Sequence, residues 1–291
     1  MSKVSVLSMA VEHSIQKCIK QVFNDKNLNE IFPNTLLRED VLDLLDLFCT
    51  VVYYPLENEE NNGFHITDVP FIDGSKQSFV FINTAQTMEK QVFTAAHELG
   101  HIWKVDDFVI HDLGLEDTPK CREMIINRFA AVLLIPADIF HKSVIACLND
   151  YADSGKTITI INLLKVIVIL MNQFFVPMKA IVLRLVELNF FLPDVADNLL
   201  GNAVLSKEEI DRCIQEFISE FGYIKFQKPS MKKWIEGLSE KLDIAEKNRL
   251  VPQEKIDHLR EQFGLKPFSS IAQGMEKLSF VTQEGTSKDD N

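Results

Sequence analysis

The sequence predicts an α+β protein: a small, partly antiparallel sheet set among helices in the first half, followed by a wholly helical second half. Three observations carry that prediction. The β-branched run Thr50 to Tyr54 and two strand-like segments around Asp73-Gly74 lie between residues 50 and 82, apolar residues recur at helical spacing on both sides of them, and the long apolar stretch from Ile158 to Asn189 reads as two helices joined by a tight turn.

Taken in order, Val11 to Phe23 and Leu36 to Phe48 have the 3.6-residue spacing of apolar positions that places one face of a helix on a core. Thr50-Val51-Val52-Tyr53-Tyr54 reads as a strand, and Glu57 to Gly63 as a polar loop. Phe64 to Ile72 and Gln77 to Ile82 flank Asp73-Gly74, a turn pair that favours a hairpin, so one strand between Gly63 and Ile82 is expected to lie at the sheet edge. A largely apolar helix then carries Thr94-Ala95-Ala96 and Leu99, Ile102 and Trp103. The acid-rich stretch holding His111, Asp112, Glu116 and Asp117 reads as a loop, and Glu123 to Ile135 as a second apolar helix.

Pro136 suits the first turn of a helix running to about Leu148, and the polar segment Tyr151 to Lys156, with Asp153-Ser154-Gly155, reads as a boundary. Ile158 to Phe174 and Ala180 to Asn189, joined through Val176-Pro177-Met178, have helix-turn-helix spacing. Ser206 and Glu209 form a capping-box pattern before Ile210 to Phe217. The expected organisation is a core over 1–150, a helix-turn-helix-like extension over 151–200, a helical region over 201–283 and a disordered polar tail over 284–291.

The chain has 291 residues and a net charge of −12, with 12 Lys and Arg against 22 Asp and Glu in residues 1–150. Such an acidic half repels nucleic acid and near a cleft would suit a basic polypeptide, although ordinary solubility charge explains it better. Lys179 and Arg184 are the only bases on the second helix of the helix-turn-helix pair, too few for a recognition helix, so packing or substrate docking is expected there instead of DNA binding. One patch, Lys225, Lys228, Lys232 and Lys233 interleaved with Tyr223, Phe226 and Trp234, has the composition of a polyanion surface, although solvated lysines explain it as well. Five scattered cysteines argue against a disulfide framework and for a reducing compartment, and no secretory signal or membrane span is read, so the expectation is a cytoplasmic protein.

Chemistry concentrates in His97-Glu98-Leu99-Gly100-His101, a match to H-E-x-x-H. Residues four apart share a helix face, so His97 and His101 can present two imidazoles to one Zn2+, and Glu98 emerges beside the ion, where it can take a proton from water. Gly100 costs about 1 kcal/mol of helix propensity against Ala, which points to another segment packing closely at that position. Hydrolytic zinc sites use three protein ligands. Glu123 is the chosen third, sharing a helix face with Asn127 and Ala130; His111, Asp112, Glu116, Asp117 and Cys121 are the competing candidates. Tyr53, Tyr54 and His65 are candidate oxyanion donors, none of them assigned a catalytic role.

These motifs resemble the ImmA/IrrE family of zinc metallopeptidases. The resemblance covers residues 78 to 136: the strand Ser78 to Asn83 ending in Asn, then Phe93 to His101 against F-T-x-A-H-E-L-G-H, then Glu123 and Asn127 to Pro136 against E-x-x-x-N-x-F-A-A-x-L-L-M-P, with Ile135 in place of Met. Two departures stand out: Trp103, Lys104 and Val105 occupy a stretch where many relatives carry a further His, and Ile125 stands where an acid is common.

The resemblance implies a zincin-like core and a cytoplasmic endopeptidase with His97, His101 and Glu123 on zinc and Glu98 as general base. It also implies a protein substrate, a helix-turn-helix transcriptional repressor, that is cut or inactivated. The alternatives are a non-proteolytic module that sequesters a repressor or toxin partner, and a DNA-binding regulator.

Overall fold

In the computed structural model the described residues are 3–32, 36–58, 61–70, 74–152, 157–200, 206–223 and 228–265. The turn residue Asp73, the boundary triplet Asp153-Ser154-Gly155, Lys225 and Phe226 of the lysine patch, and the tail from Glu284 fall outside them. The chain divides into two compact units, Met1–Lys232 and Lys233–Asn291.

The first unit opens with helices α1 (Lys3–Asp25), α2 (Leu28–Ile31) and α3 (Asp40–Asp46), then strands β1 (Thr50–Tyr54), β2 (Gly63–Pro70) and β3 (Lys76–Asn83). Helices α4 (Met88–Ile102), α5 (Val105–Leu113), α6 (Pro119–Leu134), α7 (Ala137–Tyr151), α8 (Ile160–Phe174), α9 (Met178–Glu187), α10 (Pro193–Leu199) and α11 (Lys207–Glu220) complete it. The fold is α+β, as predicted. The second unit holds a two-residue strand, β4 (Trp234–Ile235), and helices α12 (Leu238–Lys247) and α13 (Gln253–Phe263), in which Arg260 of α13 reaches Asp243 and Glu246 of α12 at 2.7 Å each.

Within the first unit the strands lie in the order β2-β3-β1. β1 runs parallel to β3, Thr50 opposite Phe79, whereas β2 is antiparallel to it, Gly63 opposite Ile82, with an irregularity between Ile66 and Val69. The sheet is therefore mixed, and β2 is its outer strand. The loop into β2 is organised by Asn83 at the end of β3, which is fully buried. Its amide nitrogen donates to the carbonyls of Asn61 (2.6 Å) and Asn58 (3.3 Å), while its oxygen accepts from the backbone N–H of Leu56 and Ala85. All four bonding directions of one side chain are thus spent on main chain, which fixes where β2 begins.

Helix ends follow local chemistry. Thr118 caps α6 by accepting from Cys121 N–H, with Pro119 in the first turn, and Ser206 and Glu209 close the expected capping box on α11. One element departs from the reading above: His111 and Asp112, expected in an acidic loop, lie on α5. Its Val105 and Val109 are buried, and its acids have partners, Asp112 accepting from Ser14 (2.7 Å) and Lys17 (2.8 Å), and Asp106 and Asp107 pairing with Arg122.

α8 and α9 meet at 103° across a break at Phe175, whose φ of 56° is left-handed, so the helix-turn-helix geometry is present. Of the two bases on α9, Lys179 is exposed and Arg184 is completely buried. It donates to both oxygens of Glu12 on α1, to Glu187 and to the carbonyl of Ile135. Arg128 of α6 joins the same cluster through Glu12 (2.9 Å) and Glu187 (2.8 Å), so two arginines and two carboxylates tie α1, α6 and α9 together. Among the described residues no single helix is long and apolar enough to cross a membrane.

Candidate metal centre

The site begins with the contact between α4 and α6. A Cβ on Gly100 would come 2.7 Å from Phe129 Cδ1 and 3.2 Å from Ile126 Cδ1, both on α6, so the missing side chain is what lets the two helices close up. Phe129 is itself walled by Trp103, 5.7 Å between ring centroids, and has nowhere to retreat. This close crossing sets Glu123, one turn into α6, opposite His97 and His101 on α4.

The three side chains converge. His97 Nε2 and His101 Nε2 are 3.3 Å apart, and the Glu123 carboxylate faces both, its Oε2 3.5 Å from His97 Nε2 and its Oε1 3.5 Å from His101 Nε2. Ligands at 2.0–2.1 Å from a tetrahedral ion are separated by about 3.3–3.4 Å, so this triangle has the size that one small divalent cation demands. Burial, together with His97 and His65 nearby, pushes the His101 imidazole below its ordinary pKa, which favours the neutral form a metal needs. The donors therefore fit a metal ion, and two nitrogens with one carboxylate suit zinc chemistry.

The competing third ligands lie elsewhere. Asp112 is held by α1, Asp117 by Arg122, and neither metal-capable group among the described residues includes His111, Glu116 or Cys121.

Glu98 points to a different neighbour. It is 5% exposed, and His65 Nδ1 donates to its Oε2 at 2.6 Å. That separation is a charge-assisted hydrogen bond, too short for two ligands sharing an ion. The hydrogen bond from His65 fixes the orientation of Glu98, and the His65 ring lies 4.5 Å from that of His101. Of the three candidate oxyanion donors, the structure brings His65 to the site. Tyr53 turns the other way, its hydroxyl donating to Asp46 and its ring covered by Lys232.

The pairing of β2 with α4 explains why His65 arrives there. A Cβ on Gly63 would lie 2.6 Å from Thr94 Cγ2 on α4, so Gly63 allows the strand to touch the helix. Two strand residues advance about 6.7 Å and four helical residues about 6 Å, so Gly63 against Thr94 brings His65 against Glu98. Gly63-x-His65 on one strand face was the available signal, legible only once the strand is known to lie on the helix.

A family model for the IrrE N-terminal-like domain, a peptidase family, matches residues 46–185. The chain is similar to that family over just under half of its length. The match runs from the end of α3 to α9 and contains every residue of the metal centre. No curated protein matches the chain. A cleft of about 1840 Å³ opens beside His97 and Glu98, runs past Phe93 and Arg128 to Leu183 on α9, and continues to Ile210 and Ile214 on α11.

Proposed function

We propose that this protein is a zinc-dependent endopeptidase that cuts a protein substrate. The observation that carries the reading is the 3.3–3.5 Å triangle of His97, His101 and Glu123 next to a buried carboxylate that is not part of it. A metal site with a structural role alone has no use for a neighbouring base. When bound, a zinc ion there would polarise the scissile carbonyl and make water more acidic.

The chain's own residues do the rest. Glu98, oriented by His65, takes the proton from the attacking water and delivers it to the leaving amine. The outer strand β2 supplies a backbone edge on which an extended substrate segment can pair, aligning a peptide carbonyl largely irrespective of its side chains. The cleft is larger than the roughly 300–1,000 Å³ usual for small-molecule sites, which suits a polypeptide.

The resemblance to ImmA/IrrE proteins extends the proposal to a cytoplasmic enzyme in transcription regulation whose substrate is a helix-turn-helix repressor. Direct DNA binding through α9 is disfavoured by the burial of Arg184.

Glu98→Gln tests the reading. It is expected to keep stoichiometric zinc and to lose cleavage of a co-expressed repressor or of casein by at least about 100-fold. Full proteolysis by that variant would remove Glu98 from its role, and chelator-insensitive cleavage would remove the metal.

A further inference from the structure

Two groups of donors, not one, lie within ion-binding reach of each other: His97, His101 and Glu123, and also His65, Glu98 and His101, with the donor atoms of each group within 4.8 Å. The first was assigned above. The second contains the general base, a residue 5% exposed, whose carboxylate faces the imidazole of His65, 31% exposed at its side chain on the outer strand.

We propose that His65 and Glu98 form a second, weaker divalent-cation site, so that excess metal disables the enzyme by occupying its base; this rests on the metal reading of His97, His101 and Glu123. The donor chemistry is that of a zinc site, one imidazole nitrogen and one carboxylate oxygen. Two carboxylates, Glu98 and Glu123, belong to the two adjoining donor groups. Those carboxylates offset the repulsion between two dications, which biological two-metal sites tolerate at about 3.5–4 Å.

Geometry sets the order of filling. His65 Nδ1 and Glu98 Oε2, now 2.6 Å apart, must open to about 3.3 Å to share an ion, which breaks their hydrogen bond. His101 Nε2 can serve only one ion, and its spacing to His97 and Glu123 already suits the first. The second ion is left with two protein ligands and water. A lost charge-assisted hydrogen bond corresponds to an affinity lower by about 10- to 100-fold, and the missing third ligand widens the gap. Activity would then rise with the first equivalent of zinc and fall with the second.

The test needs no substrate. Full-length protein, stripped with chelator, is titrated with zinc chloride and its bound metal is measured by equilibrium dialysis with elemental analysis. Wild type is expected to take two ions, the second at least about 10-fold weaker, while His65→Ala keeps the tight ion and loses the weak one. His65→Gln, which retains a hydrogen-bond donor toward Glu98 but no imidazole, gives the same readout if the alanine variant folds poorly. Saturation of wild type at one ion, or a second ion persisting in both His65 variants, overturns the proposal and leaves the catalytic site intact. No tight ion in wild type overturns the metal reading itself.

Discussion

Arg184 and Glu12 stand 172 positions apart in the chain and form a bidentate ion pair, Nη1 and Nη2 lying 2.9 and 2.7 Å from the two carboxylate oxygens. The guanidinium has no exposed surface, so removing either partner leaves a buried charge with one partner fewer, Glu12 with Arg128 alone or Arg184 with Glu187 alone. Arg184→Met is therefore expected to lower unfolding stability by about 3–5 kcal/mol in urea titrations. The double variant Glu12→Leu with Arg184→Met should regain much of that, because Arg128 keeps Glu187 as a partner. A double variant no more stable than the single one would mean that the pair contributes more than avoidance of a buried charge.

The same cluster gives stability an acid limb. Burial raises the Glu12 carboxyl, but the hydrogen bonds and charges of Arg184 and Arg128 outweigh it and hold the group below its ordinary value of 4.5. A depressed folded-state value means a contribution that is complete above pH 4.5 and is lost as the pH falls below it toward the folded value. Urea midpoints of wild type and Glu12→Gln, followed from about pH 7 to about pH 3, should therefore converge in acid. A constant gap across that range would contradict the assignment.

Gly100→Ala gains about 1 kcal/mol of helix propensity. It also drives a methyl to 2.7 Å from Phe129, a fully buried ring already packed on Trp103, and overpacking of this kind costs about 1–3 kcal/mol. The variant is expected to be less stable than wild type and, because α6 is pushed off α4, to bind zinc more weakly in dialysis. Unchanged zinc affinity would show that Glu123 tolerates the shift.

Asn83→Asp replaces an amide that donates to two carbonyls with a carboxylate that cannot. The carbonyls of Asn61 and Asn58 would face negative charge at 2.6 and 3.3 Å, a loss of about 1–3 kcal/mol. Limited proteolysis should then cut between Leu56 and Gly63 sooner than in wild type.

Much of the centre was legible because its signals are local. The four-residue spacing of His97 and His101 and the glycine between them depend on one helical period, and the close crossing that Gly100 permits sets Glu123 opposite the two imidazoles. The capping box at Ser206 and the bounds of β1 are equally short-range.

What escaped depends on distant partners. His111 and Asp112 on α5 looked like part of a charged loop because Asp106, Asp107 and Asp112 mask the spacing of Val105 and Val109, and their neutralisation comes from Arg122, Ser14 and Lys17 on other helices. Arg184 looked like a surface base because its counter-ion Glu12 lies on the first helix. His65 could be placed near the chemistry but not against Glu98, since which strand face meets α4 is a tertiary fact.

The irregularity between Ile66 and Val69 divides β2 into two stretches with unequal tolerance. Strand side chains alternate, so one residue inserted directly after Gly63 would rotate Phe64 into the place of His65 and leave Glu98 without its imidazole partner. An insertion beyond Val69 enlarges a kink that already exists and leaves the upstream register alone. Natural length variation in this strand is thus admissible only at its distal end.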